Sequence, residues 1–142
     1  MSESDIAYAK IAADGDERFV SLRRQLGIAS FGMNLIRLAP GERGRIHRHE
    51  RQEEVYLVLE GELSLMIEGE DHRLRAGGLA RVAPDVRRQL VNRRAQRLVL
   101  LALGGSEPHE GRDGEAFEAW DQATGRPPQE VPPPADVPVE AD

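Results

Sequence analysis

The sequence predicts an all-β fold, an antiparallel sandwich or barrel, between residues 31 and 103. Short apolar runs of strand length recur at roughly ten-residue spacing, and glycine or polar turns separate them. This spacing is typical of antiparallel all-β folds rather than of alternating β-strand and α-helix units. We predict seven strands, in the runs "FGMNLIRLAPG", "EEVYLVLEG", "ELSLMIEGED", "HRLRAGG", "LARVAP", "VRRQLVN" and "RLVLLALGG".

Composition limits the classes of function. The 142 residues are enough for one domain with an appended tail. No apolar run reaches the roughly 18 residues that span a bilayer and the amino terminus has no signal-like stretch, so we expect a cytoplasmic protein without a membrane partner. No basic stripe alternates with aromatic residues, so we expect no nucleic-acid partner. Cysteine is absent, so nitrogen and oxygen atoms would have to hold any metal.

The chain before the first predicted strand contains one ambiguous element. Residues 1–17 are predicted to form a polar lead-in to a barrel domain over residues 18–104. The stretch "GDERFVSLRRQLG" spaces its apolar residues at helical intervals. Asp16 could cap a short helix here and Gly27 could end it, while a strand is the alternative.

The chain after the last predicted strand divides into two parts. Residues 105–124 are predicted to form a short docked helical segment, with Asp113 as its cap and with Phe117 and Trp120 on one face. Residues 125–142 hold six of the nine prolines among acidic residues. We expect an extended tail there, solvated or draped over the surface, with no core of its own.

The run "EVYLVLEGELSLMIEGE" is predicted to form a hairpin that turns at Gly61. Its first strand is apolar on both faces. Tyr56 and Val58 lie on one face, which the interior would cover. Leu57 and Leu59 lie on the other, which a partner subunit could cover, and we therefore expect a homodimer.

Two histidines and a carboxylate form a candidate metal site. His47 and His49 lie two residues apart on a strand, hence on one face with Cα atoms about 7 Å apart. A carboxylate from the next strand, Glu54, would complete a two-histidine, one-carboxylate set that suits Fe(II), Mn(II), Ni(II) or Zn(II). The alternative is a pair of solvated histidines in the arginine-rich loop "RIHRHERQE".

The spacing Gly41-x5-His47-x-His49-x4-Glu54-x6-Gly61 resembles the first conserved motif of the cupins, with every fixed position and interval matched. The similarity extends over about residues 31–103, the region of the predicted strands.

The second cupin motif, G-x5-P-x-G-x2-H-x3-N, is matched less well. Gly77 and Asn92 agree with its first and last positions, but the proline is displaced by one residue. In this register Arg88 stands at the position of the histidine. A register counted from Gly78 would place Gln89 there instead, so neither register supplies a histidine.

The resemblance implies a jelly-roll β-barrel, commonly dimeric, with a site in its mouth. It implies that His47, His49 and Glu54 are ligands of a divalent metal such as Fe, Mn, Ni or Zn. The fourth ligand of the family is missing, because the guanidinium of Arg88 has no lone pair to offer.

Three arrangements of Arg88 are open at this point. It could bind an anionic substrate group beside a metal with three protein ligands. It could pair with Glu54 and replace the metal. It could also turn outward and leave Gln89 inside. Tyr56, on the same strand face as Glu54, is the second candidate substrate-binding residue.

The functional expectation is a single-domain cupin that binds a small, anionic metabolite at a divalent metal, with dioxygenase- or isomerase-type chemistry as examples. The alternative is a metal-free sensor or binding module without catalysis. The fold does not select between them, and no catalytic residue is identified. Arginines around the first motif would make the mouth electropositive and favour an anionic ligand: Arg43, Arg45, Arg48 and Arg51.

Overall fold

The structure is a computed structural model that describes residues 5–106 and 112–141, which form β-strands and one short α-helix. In chain order these elements are Phe19–Ser21 (β1), Leu22–Leu26 (α1), Gly32–Leu38 (β2), Ile46–His49 (β3), Glu53–Glu60 (β4), Glu62–Ile67 (β5), Glu70–Arg75 (β6), Leu79–Val82 (β7), Arg88–Val91 (β8), Leu98–Gly105 (β9) and Gly114–Phe117 (β10). No helix within the described ranges is long and apolar enough to cross a membrane.

The strands form two five-stranded sheets in which every neighbouring pair is antiparallel. One sheet has the order β1-β2-β9-β4-β7 and the other has the order β10-β3-β8-β5-β6. The seven predicted strands are present as β2 and as β4 to β9. The chain passes repeatedly from one sheet to the other, as in a jelly roll, so the predicted all-β jelly-roll class is confirmed.

The predicted hairpin at Gly61 is wrong. Strand β4 lies in the first sheet and β5 in the second, so the chain crosses between sheets at this glycine. Gly61 has a φ of 82° and packs directly on the backbone of Arg97. The alternation of side chains reveals the faces of a strand but not its hydrogen-bonded neighbour, and the turn residue alone could not distinguish the two arrangements.

The inward faces of the two sheets form the main core. Tyr56 and Val58 lie inside it, each 1% exposed, as predicted from the alternation of β4. On the outer face of the same strand Leu59 is 42% exposed, and its predicted cover, a second subunit, stays a prediction. The buried members of the core are Leu38, Tyr56, Val58, Leu63, Leu65, Val82, Leu90, Leu98, Leu100 and Ala102.

Residues 19–27 contain both elements that the sequence left open. Strand β1 pairs with β2, and helix α1 follows it directly. The hydroxyl of Ser21 accepts the backbone N–H of Arg24 and caps the helix, so Asp16 is not its cap. Gly27, with a φ of 71°, ends the helix as predicted.

The predicted helical segment at residues 105–124 is wrong where the structure describes it, because residues 114–117 form strand β10, and residues 107–111 lie outside the described residues. This strand pairs with β3, with Ala116 opposite His47 and Phe117 opposite Ile46. Its backbone satisfies the hydrogen-bonding edge of β3, a tertiary demand that outweighs the helical spacing of the aromatic residues.

The proline-rich tail lies on the surface of the barrel. We call residues 131–140 the strap. The Nε atom of Arg45 donates to the carbonyl of Val131 at 2.7 Å, and Nε of Arg43 donates to the carbonyl of Ala135 at 2.8 Å. Side chains from the barrel therefore hold the strap, which has no regular structure of its own to hold it.

Replacing Gly61 with alanine should destabilise the fold more than the same change at Gly69. Both glycines have left-handed φ, 82° and 85°, but a Cβ at Gly61 would clash with the Arg97 carbonyl, whereas one at Gly69 meets nothing within 4 Å. In urea denaturation we expect Gly69→Ala to cost about 1 kcal/mol and Gly61→Ala about 3 kcal/mol or more. Equal losses would contradict a tight crossing at Gly61.

Candidate metal centre

Three predicted side chains meet inside the barrel mouth. His47 and His49 project from β3, and Glu54 projects from β4 in the opposite sheet. The Nε2 atoms of His47 and His49 lie 3.3 and 3.1 Å from Oε1 of Glu54. One potential ligand atom from each of the three residues lies within 4.8 Å of the others. The structure thus brings together the two histidines and the carboxylate as the sequence predicts.

The other ring nitrogen of each histidine is already engaged. Nδ1 of His47 lies 3.1 Å from the carbonyl oxygen of Arg45, and Nδ1 of His49 lies 2.9 Å from Oδ1 of Asp113. Each of these oxygens can only accept, so both Nδ1 atoms carry a hydrogen. In a neutral imidazole, Nε2 then presents a lone pair, and both lone pairs point at one carboxylate oxygen. Nε2 of His49 is buried and, among the residues that the structure describes, makes the 3.1 Å contact with Glu54 but no hydrogen bond.

A cation between these atoms would remove the conflict. Two nitrogen lone pairs and a carboxylate repel one another when neither a proton nor a metal ion lies between them. The set matches the nitrogen and oxygen donors that divalent transition metals take in proteins. The side chains present therefore fit a divalent metal ion.

Asp113 orients His49, a role that the sequence did not reveal. Besides the His49 ring, this carboxylate accepts the backbone N–H groups of Arg51 at 2.6 Å and Gln52 at 2.8 Å. Burial alone would raise the pKa of Asp113, but these hydrogen bonds and His49 lower it below its ordinary value. Asp113 precedes β10 and lies 64 positions from His49, so no local pattern could have linked them.

Arg88 lies inside the barrel and completes the cluster from β8. It is paired with His47 in the register of β3 and β8 and is 0% exposed. Its Nη2 donates to Glu54 Oε1 at 2.9 Å, and its Nη1 donates to the carbonyls of Pro84 and Val86 at 2.9 and 2.6 Å. Gln89 faces away and donates to a backbone carbonyl. The arrangement with Arg88 outside and Gln89 inside is therefore not the one observed.

Tyr56 supports the same carboxylate. Its hydroxyl donates to Glu54 Oε1 at 2.6 Å, and its side chain belongs to the main core. Burial and the neighbouring Glu54 raise the pKa of Tyr56 well above its ordinary value, so the phenol stays protonated and can donate. Substrate binding by Arg88 and Tyr56 stays a prediction, and the contacts observed give both residues a second role in positioning Glu54.

Glu54 is charged despite its burial. Burial alone would raise the pKa of Glu54, but its close contacts with His47 and His49 lower it well below its ordinary value. Burial lowers the pKa of His49, while contacts with Glu54 and Asp113 outweigh that effect and raise it. Positive charge near the carboxylate is therefore favoured, whether it comes from a proton on His49 or from a metal ion.

A family model described as "Cupin domain" matches residues 34–104 of this chain. No curated protein matches the sequence. The likeness to solved structures is broad but low in identity. A cupin protein from Bacteroides fragilis is 24% identical, with a TM-score of 0.66 over 87% of this chain and 98% of that one.

Two further similar structures are named as sugar phosphate isomerases. One is a cupin-superfamily protein from Silicibacter pomeroyi. It is 24% identical to this chain, with a TM-score of 0.63 over 82% of this chain and 81% of that one. The other, a putative enzyme from Acidithiobacillus ferrooxidans, is 26% identical, with a TM-score of 0.57 over 61% of this chain and 57% of that one. At these sequence identities the similarity shows a shared fold and nothing more specific.

Replacing Arg88 with methionine should destabilise the protein because it leaves the buried Glu54 carboxylate without its cation. In the presence of a chelator, we expect denaturation to show a loss of about 3 kcal/mol. The double variant Arg88→Met/Glu54→Gln should recover at least half of that loss, since the uncompensated charge is gone. Arg75→Met, at a side chain that is 86% exposed, should change stability by less than about 0.5 kcal/mol. A double variant no more stable than Arg88→Met would contradict the pairing.

Proposed function

The chain belongs to the cupin domain family, and on that premise we propose that its barrel holds a divalent metal ion on His47, His49 and Glu54 and binds a small anionic metabolite there. One observation carries the proposal. Two imidazole nitrogens converge on a single carboxylate oxygen while the opposite nitrogen of each ring is held by an oxygen acceptor.

The chemistry of the donor atoms limits which metal ions fit the site. Neutral imidazole and carboxylate groups favour Fe(II), Mn(II), Ni(II) or Zn(II), and the sequence contains no cysteine that would select a thiolate-bound ion. Three protein ligands leave coordination positions open for a small molecule. When bound, such an ion supplies Lewis-acid polarisation of a ligand oxygen or carbonyl group.

The remaining residues of the cluster position the ligands. Asp113 holds His49 in the tautomer that directs Nε2 toward Glu54, the role that carboxylates take beside metal-bound histidines. Tyr56 and Arg88 fix the carboxylate of Glu54 by donating to its Oε1. Arg88 occupies the place of a fourth ligand without contributing one, so the metal site of this chain has one protein ligand fewer than the family motif supplies.

The names of similar proteins agree with an anionic ligand. Two of the similar structures are called sugar phosphate isomerases, and such substrates carry a phosphate and a carbonyl group. Isomerase-type chemistry is accordingly the first reaction class to assay, with oxygen-dependent chemistry second. Because one fold hosts many reactions, the metal site and the ligand must be established before the reaction.

A second candidate function has its own supporting observation. The ion pair between Arg88 and Glu54 neutralises the carboxylate without any metal. In that case the barrel is a metal-free binding or sensor module, and its polar cluster is purely structural. Metal analysis separates the two candidates, because only the first depends on the histidine nitrogens.

Protein purified without a histidine tag should bind close to one equivalent of Fe(II), Mn(II), Ni(II) or Zn(II) in elemental analysis after desalting. His47→Ala and His49→Ala should each weaken binding by about a hundredfold or more, because each removes a ligand. His72→Ala is the matched control, since His72 is an exposed histidine on β6, and it should keep the metal. Absence of binding for all four ions would leave the metal-free candidate.

Asp113→Asn should weaken metal binding by about tenfold to a hundredfold, because an amide orients His49 less strongly than a carboxylate does. Competition against a chromophoric chelator measures the change. Asp71→Asn, at a carboxylate that pairs with Arg73 away from the site, should leave the affinity unchanged. Equal affinities for Asp113→Asn and the wild type would show that Asp113 plays no part in holding a metal.

A further inference from the structure

A cavity of about 460 Å³ opens between the two sheets and extends to His47. Its size is that of small-molecule sites in general. Strands β1 and β2 form one side of it, and the segment that leads into β3 forms the other. Its walls are largely apolar. The barrel supplies Phe19, Ile36, Leu38 and Leu90, and the strap supplies Pro133 and Pro134.

Two arginines of this cavity have no carboxylate partner within residues 5–106 and 112–141. Arg43 and Arg45 line it on the side of His47, and each donates its Nε hydrogen to a carbonyl of the strap. In the described part of the chain no carboxylate lies within ion-pair distance of either guanidinium, whereas Arg18, the third arginine of the cavity, pairs with Glu42 at 3.7 Å. Arg43 and Arg45, which also line a second cavity beside the strap, therefore carry positive charges that no described carboxylate offsets.

The combination of walls and charges selects a ligand class. A sugar ring carries hydroxyl groups that need hydrogen-bond partners, and the apolar walls offer it none. A hydrocarbon chain or ring fits those walls, and a carboxylate fits the fork of an arginine. Arg45 lies two residues from His47 on an extended segment, with Cα atoms about 7 Å apart, and the cavity therefore reaches one side chain of the proposed metal centre.

We propose that this cavity binds an amphipathic carboxylate, with its apolar body on the cavity walls and its carboxylate on Arg43 and Arg45. The inference deepens the proposed function, on which it rests for the metal near the reacting atoms. It also gives the strap a role, because Pro133 and Pro134 form a wall of the site and the same two arginines hold both strap and ligand.

Isothermal titration calorimetry with octanoate, 1-octanol and glucose 6-phosphate tests the ligand class. Each titration is made once in the presence of a chelator and once with the metal-loaded protein. Octanoate should bind one to one with a dissociation constant of about 1 mM or below. The alcohol, which has the same chain without the charge, should bind about tenfold more weakly. Glucose 6-phosphate should bind more weakly than octanoate. Equal binding of octanoate and 1-octanol, or stronger binding of the sugar phosphate, would overturn the inference.

Substitutions assign the anionic group to its partners. Arg43→Met and Arg45→Met should each weaken octanoate by about tenfold and 1-octanol by clearly less, because loss of the strap bond affects both ligands while loss of the charge affects only octanoate. Arg75→Met, on an exposed side chain outside the cavity, is the control. If a methionine variant does not fold, Arg43→Lys and Arg45→Lys serve instead, because they keep the charge and lose the bidentate fork. If none of the substitutions of Arg43 and Arg45 weakened octanoate binding, the carboxylate would bind outside this cavity.

The design separates the two proposals. Octanoate selectivity in the chelator without metal uptake would remove the metal centre and keep the ligand class. Metal uptake without octanoate selectivity would remove the ligand class and keep the metal centre.

Discussion

The interior of this barrel depends on one carboxylate oxygen, Oε1 of Glu54. Two histidine nitrogens, a phenol and a guanidinium all lie within 3.3 Å of it. A buried carboxylate is costly unless it is paired and hydrogen-bonded. Both sheets contribute to that compensation, since Glu54 and Tyr56 come from one sheet and His47, His49 and Arg88 from the other. The polar cluster of the site therefore joins the two sheets in addition to their shared apolar core.

Arg88 changes how the site must be understood. A histidine at this position would give a metal four protein ligands, whereas an arginine supplies a fixed positive charge. The charge is held away from the cavity by three acceptors: Glu54 and the carbonyls of Pro84 and Val86. Because its donors are directed at these groups, Arg88 fixes the position of the Glu54 carboxylate. It does not supply the metal ligand that a histidine at this position would supply. The guanidinium groups of Arg43 and Arg45, at the cavity, are better placed to meet an anion from solvent.

Local patterns in the sequence accounted for much of the fold and for three members of the site. Strand alternation identifies Tyr56 and Val58 as inward residues, and spacing places His47 and His49 on one face. The crossing at Gly61, the strand at residues 114–117 and the contact of Asp113 with His49 depend on partners that are distant in the sequence. Periodicity describes the face of an element and carries no information on what lies opposite it. The sequence left open whether the tail is solvated or draped over the surface, and the contacts that decide it come from arginines some ninety residues earlier.

X-ray absorption at the metal edge tests the central claim most directly. For protein loaded with one equivalent of Zn(II) or Mn(II), we expect a first shell of nitrogen and oxygen atoms at about 2.0–2.2 Å that includes two imidazole rings. The same spectrum from Glu54→Gln should keep the imidazole contributions and lose one oxygen. A first shell without imidazole rings would place the metal elsewhere and would contradict a centre built on His47, His49 and Glu54.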